Sequence, residues 1–122
     1  MPEPVTPLIR MYRNLITEKE FQATVVEYAQ ARGWKVAHFR PAMTSRLDKK
    51  GKPVWVTPVQ ADGEGFVDLV LVRFRIVYAE VKSETGKLSK QQEGWRDAIV
   101  EAGGEWYCWK PSDWPEIEDV LA

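Results

Sequence analysis

Two nearly continuous apolar runs dominate the hydropathy pattern: F-V-D-L-V-L-V-R at residues 66–73 and R-I-V-Y-A-E-V-K at residues 75–82. Runs of this length and richness in branched side chains predict a central pair of strands buried on both faces. The turn between them has neither glycine nor asparagine, so the pattern leaves its geometry open. Upstream, Thr17-x-x-Glu20 is a capping-box pattern that starts a helix, and Gly33 is placed to stop it. Within that helix Glu18, Phe21, Gln22, Val25 and Ala29 share one face. Residues 34–40 then set Trp34, Val36 and His38 against Lys35, Ala37 and Phe39, the alternation of a strand. Residues 41–65 read as a long connection in which only Val54-Trp55-Val56 has the pattern to pair as a short strand.

Downstream, Ser89 is placed to cap a helix from Lys90 to about Ala102, with Gly103-Gly104 ending it. Residues 105–110 return as a strand, and Pro111-Ser112 leads into a short final helix. Residues 1–16 hold three prolines and then Leu8, Ile9, Met11 and Leu15, the composition of an arm or a brief helix. The order of elements predicts an α/β domain built on a mixed sheet flanked by helices.

Length and composition add bounds. At 122 residues, with 44% hydrophobic and 29% charged, the chain suits one globular domain with a single core. No apolar run approaches membrane-spanning length and no signal-peptide core is present, which predicts a cytoplasmic protein with no membrane partner. The single Cys108 lies in an aromatic run and reads as a packing residue; it excludes an intramolecular disulfide or a cysteine-based zinc cluster. A net charge of −1 does not by itself favour nucleic acid. Its distribution is more telling, because Arg40, Arg46, Lys49, Lys50 and Lys52 gather in one segment while Asp113, Glu116, Glu118 and Asp119 crowd the C-terminus.

The chemistry concentrates on three charges. Asp68 opens the first apolar strand, and Glu80 and Lys82 close the second on one face, since side chains alternate along a strand. A hairpin brings Asp68 beside that pair. Acids and a lysine at strand ends are commonly solvated ion pairs. Acids on otherwise apolar strands are nevertheless costly unless solvated, paired or metal-bound. Two carboxylates that anchor Mg²⁺, with a lysine beside them, suit hydrolysis of a phosphodiester. In that reading Asp68 and Glu80 hold the ion, and Lys82 orients the water or stabilises the transition state.

With these motifs in place, the chain resembles the VRR-NUC branch of the PD-(D/E)XK nucleases. The likeness rests on G-F-V-D-L-V-L-V followed by Y-A-E-V-K-S-E-T-G-K-L-S-K-Q-Q-E-G-W. It extends to T-E-K-E-F-Q, G-W-K-V-A-H-F-R and G-G-E-W-Y-C-W-K-P, and so spans residues 17–122. The resemblance implies a restriction-endonuclease-like core in αβββαβ order and dependence on Mg²⁺, with Mn²⁺ able to substitute. It also implies structure-directed cleavage of branched DNA, as in a Holliday-junction resolvase of phage type. A homodimer follows from the two-fold symmetry of a junction. Val67 stands where relatives place a proline that shapes backbone. The first-helix acid of the family falls to Glu18, with Gln22 one turn on and Glu20 better explained as a cap. Gln92 matches the family glutamine, and it also completes a capping box with Ser89. Arg40, Arg46, Lys49, Lys50, Lys52 and Lys87 are the candidates for gripping DNA phosphates, and Trp55 for stacking on a base. His38 reads as a packing or structurally hydrogen-bonded residue. The alternatives are a flap or nicking nuclease acting as a monomer, and an inactive DNA-binding module on the same fold.

Overall fold

The computed structural model describes residues 6–39, 42–56 and 59–122, with the side chains of 42–46 and 55–56 left aside. Thr6 opens the first described element: its hydroxyl accepts the Ile9 N–H at 3.1 Å and starts helix α1 (Pro7–Leu15). The N-terminal segment is thus a brief helix. Ile16 is buried, and Thr17 at once caps α2 (Glu18–Ala31). The cap departs from the expected box. The Thr17 hydroxyl accepts the Glu20 N–H at 3.1 Å and donates to Glu20 Oε1 at 2.9 Å, so Glu20 closes on the hydroxyl itself. Phe21, Val25 and Ala29 are buried, as their spacing predicts.

Gly33, at φ +89°, ends α2 in a Schellman arrangement, donating to Gln30 O while Trp34 N–H donates to Ala29 O. This helix-terminating bond takes Trp34 out of the following strand, so β1 (Lys35–His38) is shorter than residues 34–40. Arg40 lies outside the described residues. The expected long connection holds a structure that its sequence did not announce. Strand β2 (Ala42–Leu47) pairs antiparallel with β3 (Pro53–Val56) as a separate two-stranded ribbon. The Val54–Val56 strand is there; its partner was missed because Ala42–Leu47 has no period-2 pattern.

The main sheet has the order β1-β4-β5-β6, where β4 is Leu69–Arg73, β5 is Arg75–Val81 and β6 is Glu105–Trp109. β1, β4 and β5 are antiparallel neighbours, and β6 runs parallel to β5. A parallel neighbour requires a crossover, which α3 (Lys90–Glu101) supplies. Helix α4 (Trp114–Val120) follows a short 3₁₀ turn at Pro111–Asp113. Among the described residues no helix is long and apolar enough to cross a membrane.

Leu69, Leu71, Val77, Ala79 and Val81 point to one face, where they join Phe21, Val25 and Ala29 of α2 and Ile117 of α4 in the core. The end of α4 is tied to the sheet, because its free carbonyls need donors. Trp34 Nε1 donates to Leu121 O at 3.1 Å, Arg75 Nη2 to Val120 O at 2.6 Å and Arg73 Nη1 to Ala122 O at 3.2 Å. On the other face, α3 meets β5 through Gln92, whose amide reaches Glu80. At the hairpin end Val72 and Ile76 remain 44% and 48% exposed, so the strands are buried on both faces only toward the Glu80 end.

Phe74 is the single residue between the paired Arg73 and Arg75, at φ +59° and 98% exposed. A left-handed conformation costs a side-chain-bearing residue roughly 1–2 kcal/mol, against about 0.5–1 kcal/mol for the extra freedom of an unfolded glycine. Because the ring is outside the core, Phe74→Gly is expected to stabilise the fold by up to about 1 kcal/mol in urea denaturation. A loss of stability would contradict this account of the turn.

Candidate active site

The site is built from the end of the sheet opposite Phe74. Leu69 pairs with Ala79, and continuing that register by one residue sets Asp68 against Glu80. Asp68 lies just before β4, and its Oδ2 accepts the Val81 N–H at 2.8 Å. The carboxylate thereby continues the ladder past the end of the strand and is fixed in orientation. On β5, Glu80 is wholly buried, on the face opposite the core residues Ala79 and Val81. Lys82 follows on the same face as Glu80, its backbone N–H held by Trp109 O at 2.9 Å.

Helix α3 covers Glu80 through Gln92, and here the two readings of Gln92 coincide. Its Oε1 accepts the Ser89 N–H at 2.9 Å, completing the capping box, while its Nε2 donates to Glu80 Oε2 at 3.1 Å. One side chain both starts the helix and orients the acid. Glu80 Oε1 has no hydrogen-bond partner, although it is buried. Such an oxygen is expensive unless a proton or a cation answers it.

Electrostatics point the same way. Burial first, and then the facing Asp68 carboxylate, push the Glu80 carboxyl up to about 9, with Lys82 pulling it down. Glu18, at the start of α2, stays open to solvent. Its carboxyl is raised by the packed surroundings and by Asp68, and lowered by Lys82. Of the three first-helix candidates, Glu18 is the one that feels the charges of this site. Glu20 is occupied by its cap, and the Gln22 side chain makes no hydrogen bond among the described residues. Yet no three acid, histidine or cysteine side chains among the described residues stand close enough to share one ion. Asp68 and Glu80 fit a divalent cation as a pair, on the strength of the orphaned buried oxygen. Glu18 belongs to the surrounding field and is not brought into a common ligand set. A pair is enough for Mg²⁺, which is commonly held by one or two carboxylates with water and phosphate completing its shell.

The loop that carries Asp68 is clamped to α3. Gly65, at φ +83°, passes so close that a Cβ there would lie 2.5 Å from the Gln91 backbone. Phe66 meets Trp95 edge-on at 4.9 Å and Phe39 at 5.4 Å, which ties the end of β1, the Asp68 loop and α3 together. Sequence reading did not single out this aromatic clamp; the signal was an aromatic beside each end of the candidate motif. It also missed Cys108 as a neighbour of the site. Cys108 pairs with Glu80 across the parallel ladder, is half-buried, and has its thiol raised by burial and by Glu80.

The basic candidates are more dispersed. Lys49, Lys50 and Lys52 are exposed around the tip of the β2–β3 ribbon, and Lys87 is exposed in the loop leading to α3. The side chains of Arg46 and Trp55, and all of Arg40, fall outside what the structure describes. His38 is exposed in β1, which removes core packing as its role. Compared with known proteins, the chain matches no protein-family model, no curated sequence and no solved structure.

The sign of the Glu80 shift gives a test. Between 4.5 and about 9 the metal-free folded chain holds a proton that the unfolded chain has released. Stability therefore falls as pH rises through that window. Thermal melts in EDTA are expected to show this decline, and Glu80→Gln is expected to flatten it and raise the melting temperature at the alkaline end. A parallel decline in Glu80→Gln would rule out Glu80 as its source.

Proposed function

We propose that this chain is a divalent-metal-dependent endodeoxyribonuclease with a restriction-endonuclease-like core. In this reading it acts on branched DNA as a Holliday-junction resolvase, most simply as a homodimer. The observation that carries the reading is Glu80: a fully buried carboxylate with one oxygen unanswered, facing Asp68 and followed on its own face by Lys82. The resemblance of the surrounding motifs to the VRR-NUC nucleases narrows a general phosphodiesterase to a DNA nuclease.

Asp68 and Glu80 would hold Mg²⁺ or Mn²⁺, which supplies charge neutralisation on the phosphate oxygens and a more acidic bound water. The chain's own residues set the geometry. The Val81 N–H fixes Asp68, and the Gln92 amide fixes Glu80. Lys82 provides hydrogen-bond donors to the attacking water or to the non-bridging oxygens as charge builds on them. The water oxygen forms the new P–O bond and its proton passes to solvent or a phosphate oxygen, while the bond to the leaving deoxyribose oxygen breaks and that oxygen takes a proton from solvent. Glu18 adds negative potential at the edge of the site. Lys87 and the lysines of the ribbon tip, all exposed, would take phosphates of the flanking DNA, contacts that hold the substrate without reading its sequence.

The test is incubation with Mg²⁺ or Mn²⁺ and a panel of four-way junctions, flaps, nicked and linear duplexes. Paired symmetric nicks in the junction are expected, with Asp68→Asn, Glu80→Gln and Lys82→Ala each slowing cleavage by about 10²-fold or more. Cutting of flaps alone would select the monomeric flap nuclease. Binding without cleavage of any substrate, unaltered in Asp68→Asn, would leave only a DNA-binding module. A second set of variants separates orientation from binding: Gln92→Ala is expected to lower kcat more than it weakens DNA affinity, with Gln92→Glu failing to restore it because a second carboxylate would face Glu80.

A further inference from the structure

The β2–β3 ribbon is tethered beside the candidate site. The Phe39 N–H donates to Asp68 O at 2.9 Å, and β2 begins three residues later. The ribbon forms its own two-stranded sheet, apart from the four-stranded one.

Its tip is ordered by the chain itself. Asp48 Oδ1 accepts the N–H groups of Lys50 and Lys52 at 2.8 and 2.9 Å, and Asp48 N–H donates to Lys52 O at 2.8 Å. This turn displays Lys49, Lys50 and Lys52 to solvent, all three exposed. The register slips between Met43 and Leu47, an irregularity that adds to the strong twist of a two-stranded ribbon. Lysines and a proline at the start of β3 discourage pairing with another protein strand. A twisted, cationic, two-stranded ribbon has the width and charge for the major groove of duplex DNA.

The geometry points to the β2–β3 ribbon as a groove-binding finger that holds a duplex arm flanking the scissile phosphate. This inference rests on the nuclease reading for the identity of that phosphate, while the contact with duplex stands on the ribbon alone. The six residues of β2 reach about 20 Å, the rise of roughly six base pairs. A duplex arm of about that length on one side of the cut is therefore required, and single strands there are poor substrates. Because the tip contacts phosphate and groove shape, the requirement is for length and not for sequence.

The variant Lys49→Ala/Lys50→Ala/Lys52→Ala tests this, since these exposed side chains leave the backbone bonds to Asp48 in place. Binding to duplexes of increasing length is followed by fluorescence anisotropy in EDTA across a salt series. Turnover of bis(p-nitrophenyl) phosphate with Mn²⁺ is measured in parallel. The triple variant is expected to lose the gain in affinity beyond about six base pairs, and its salt slope is expected to be shallower by about 2–3, given roughly 0.9 per phosphate contact. Unchanged duplex affinity and slope would overturn the ribbon assignment, as would displacement of duplex by polyglutamate at equal charge. Failure of the parent chain to hydrolyse the small diester, with duplex binding still lost in the variant, would sink the nuclease reading and leave the ribbon standing.

Discussion

Pairing Leu69 with Ala79 leaves Asp68 and Glu80 facing each other at the end of the hairpin, and the working edge of the fold is arranged around that one register. Two carboxylates in contact repel, and burial of one of them raises the cost further. The surrounding structure limits that cost without removing it. The Val81 N–H answers one oxygen of Asp68 and the Gln92 amide answers one of Glu80, while Lys82 supplies an opposite charge. What is left over is a single buried oxygen and an excess of negative charge. A proton satisfies both in the isolated chain, and a divalent cation would satisfy both with more to spare for a phosphate.

Placement of this pair depends on the rest of the domain in definite ways. The core face of the sheet, with α2 and α4 packed on it, is filled by the alternate residues Leu69, Leu71, Val77, Ala79 and Val81. Alternation then forces Asp68, Glu80 and Lys82 to the opposite face, where α3 begins. The crossover that a parallel β6 demands brings the N-terminus of α3 to the end of β5, and with it Gln92. The aromatic series Phe39, Phe66 and Trp95 holds the Asp68 loop down on that helix. Topology and chemistry are thus coupled: the same parallel strand that completes the sheet supplies the hydrogen bond that orients the buried acid.

Much of this was legible in the chain, for reasons that can be stated. Strong periodicity and strong end signals located α2, α3 and the central strands: Thr17 and Ser89 start the helices, Gly33 and Gly103 stop them, and the apolar runs around Phe74 are too regular to misread. Asp68, Glu80 and Lys82 were visible because charge on such runs is conspicuous. Elsewhere the signals competed. Gln92 carried two patterns, capping and site, that the sequence presented as alternatives and the structure joins in one side chain. Half of the ribbon was hidden: Val54–Val56 has the pattern of a strand, but Ala42–Leu47 lacks alternation, and the pairing is set by a turn that Asp48 builds from its own side chain. The open end of the sheet, with Val72 and Ile76 exposed, was invisible for the opposite reason: a continuous apolar run does not say which part of its second face a helix will cover. The first-helix acid was a choice among three residues within five positions, Glu18, Glu20 and Gln22, and only the field around Glu18 sets one of them apart.

The central claim is that the Asp68–Glu80 pair takes up a divalent cation in place of a proton. Calorimetric titration of Mn²⁺ into the DNA-free chain, repeated in buffers of different ionisation enthalpy near neutral pH, tests it directly. Saturable binding that releases about one proton per site is predicted, with that release absent in Glu80→Gln. Binding without proton release, or release undiminished in Glu80→Gln, would contradict the account.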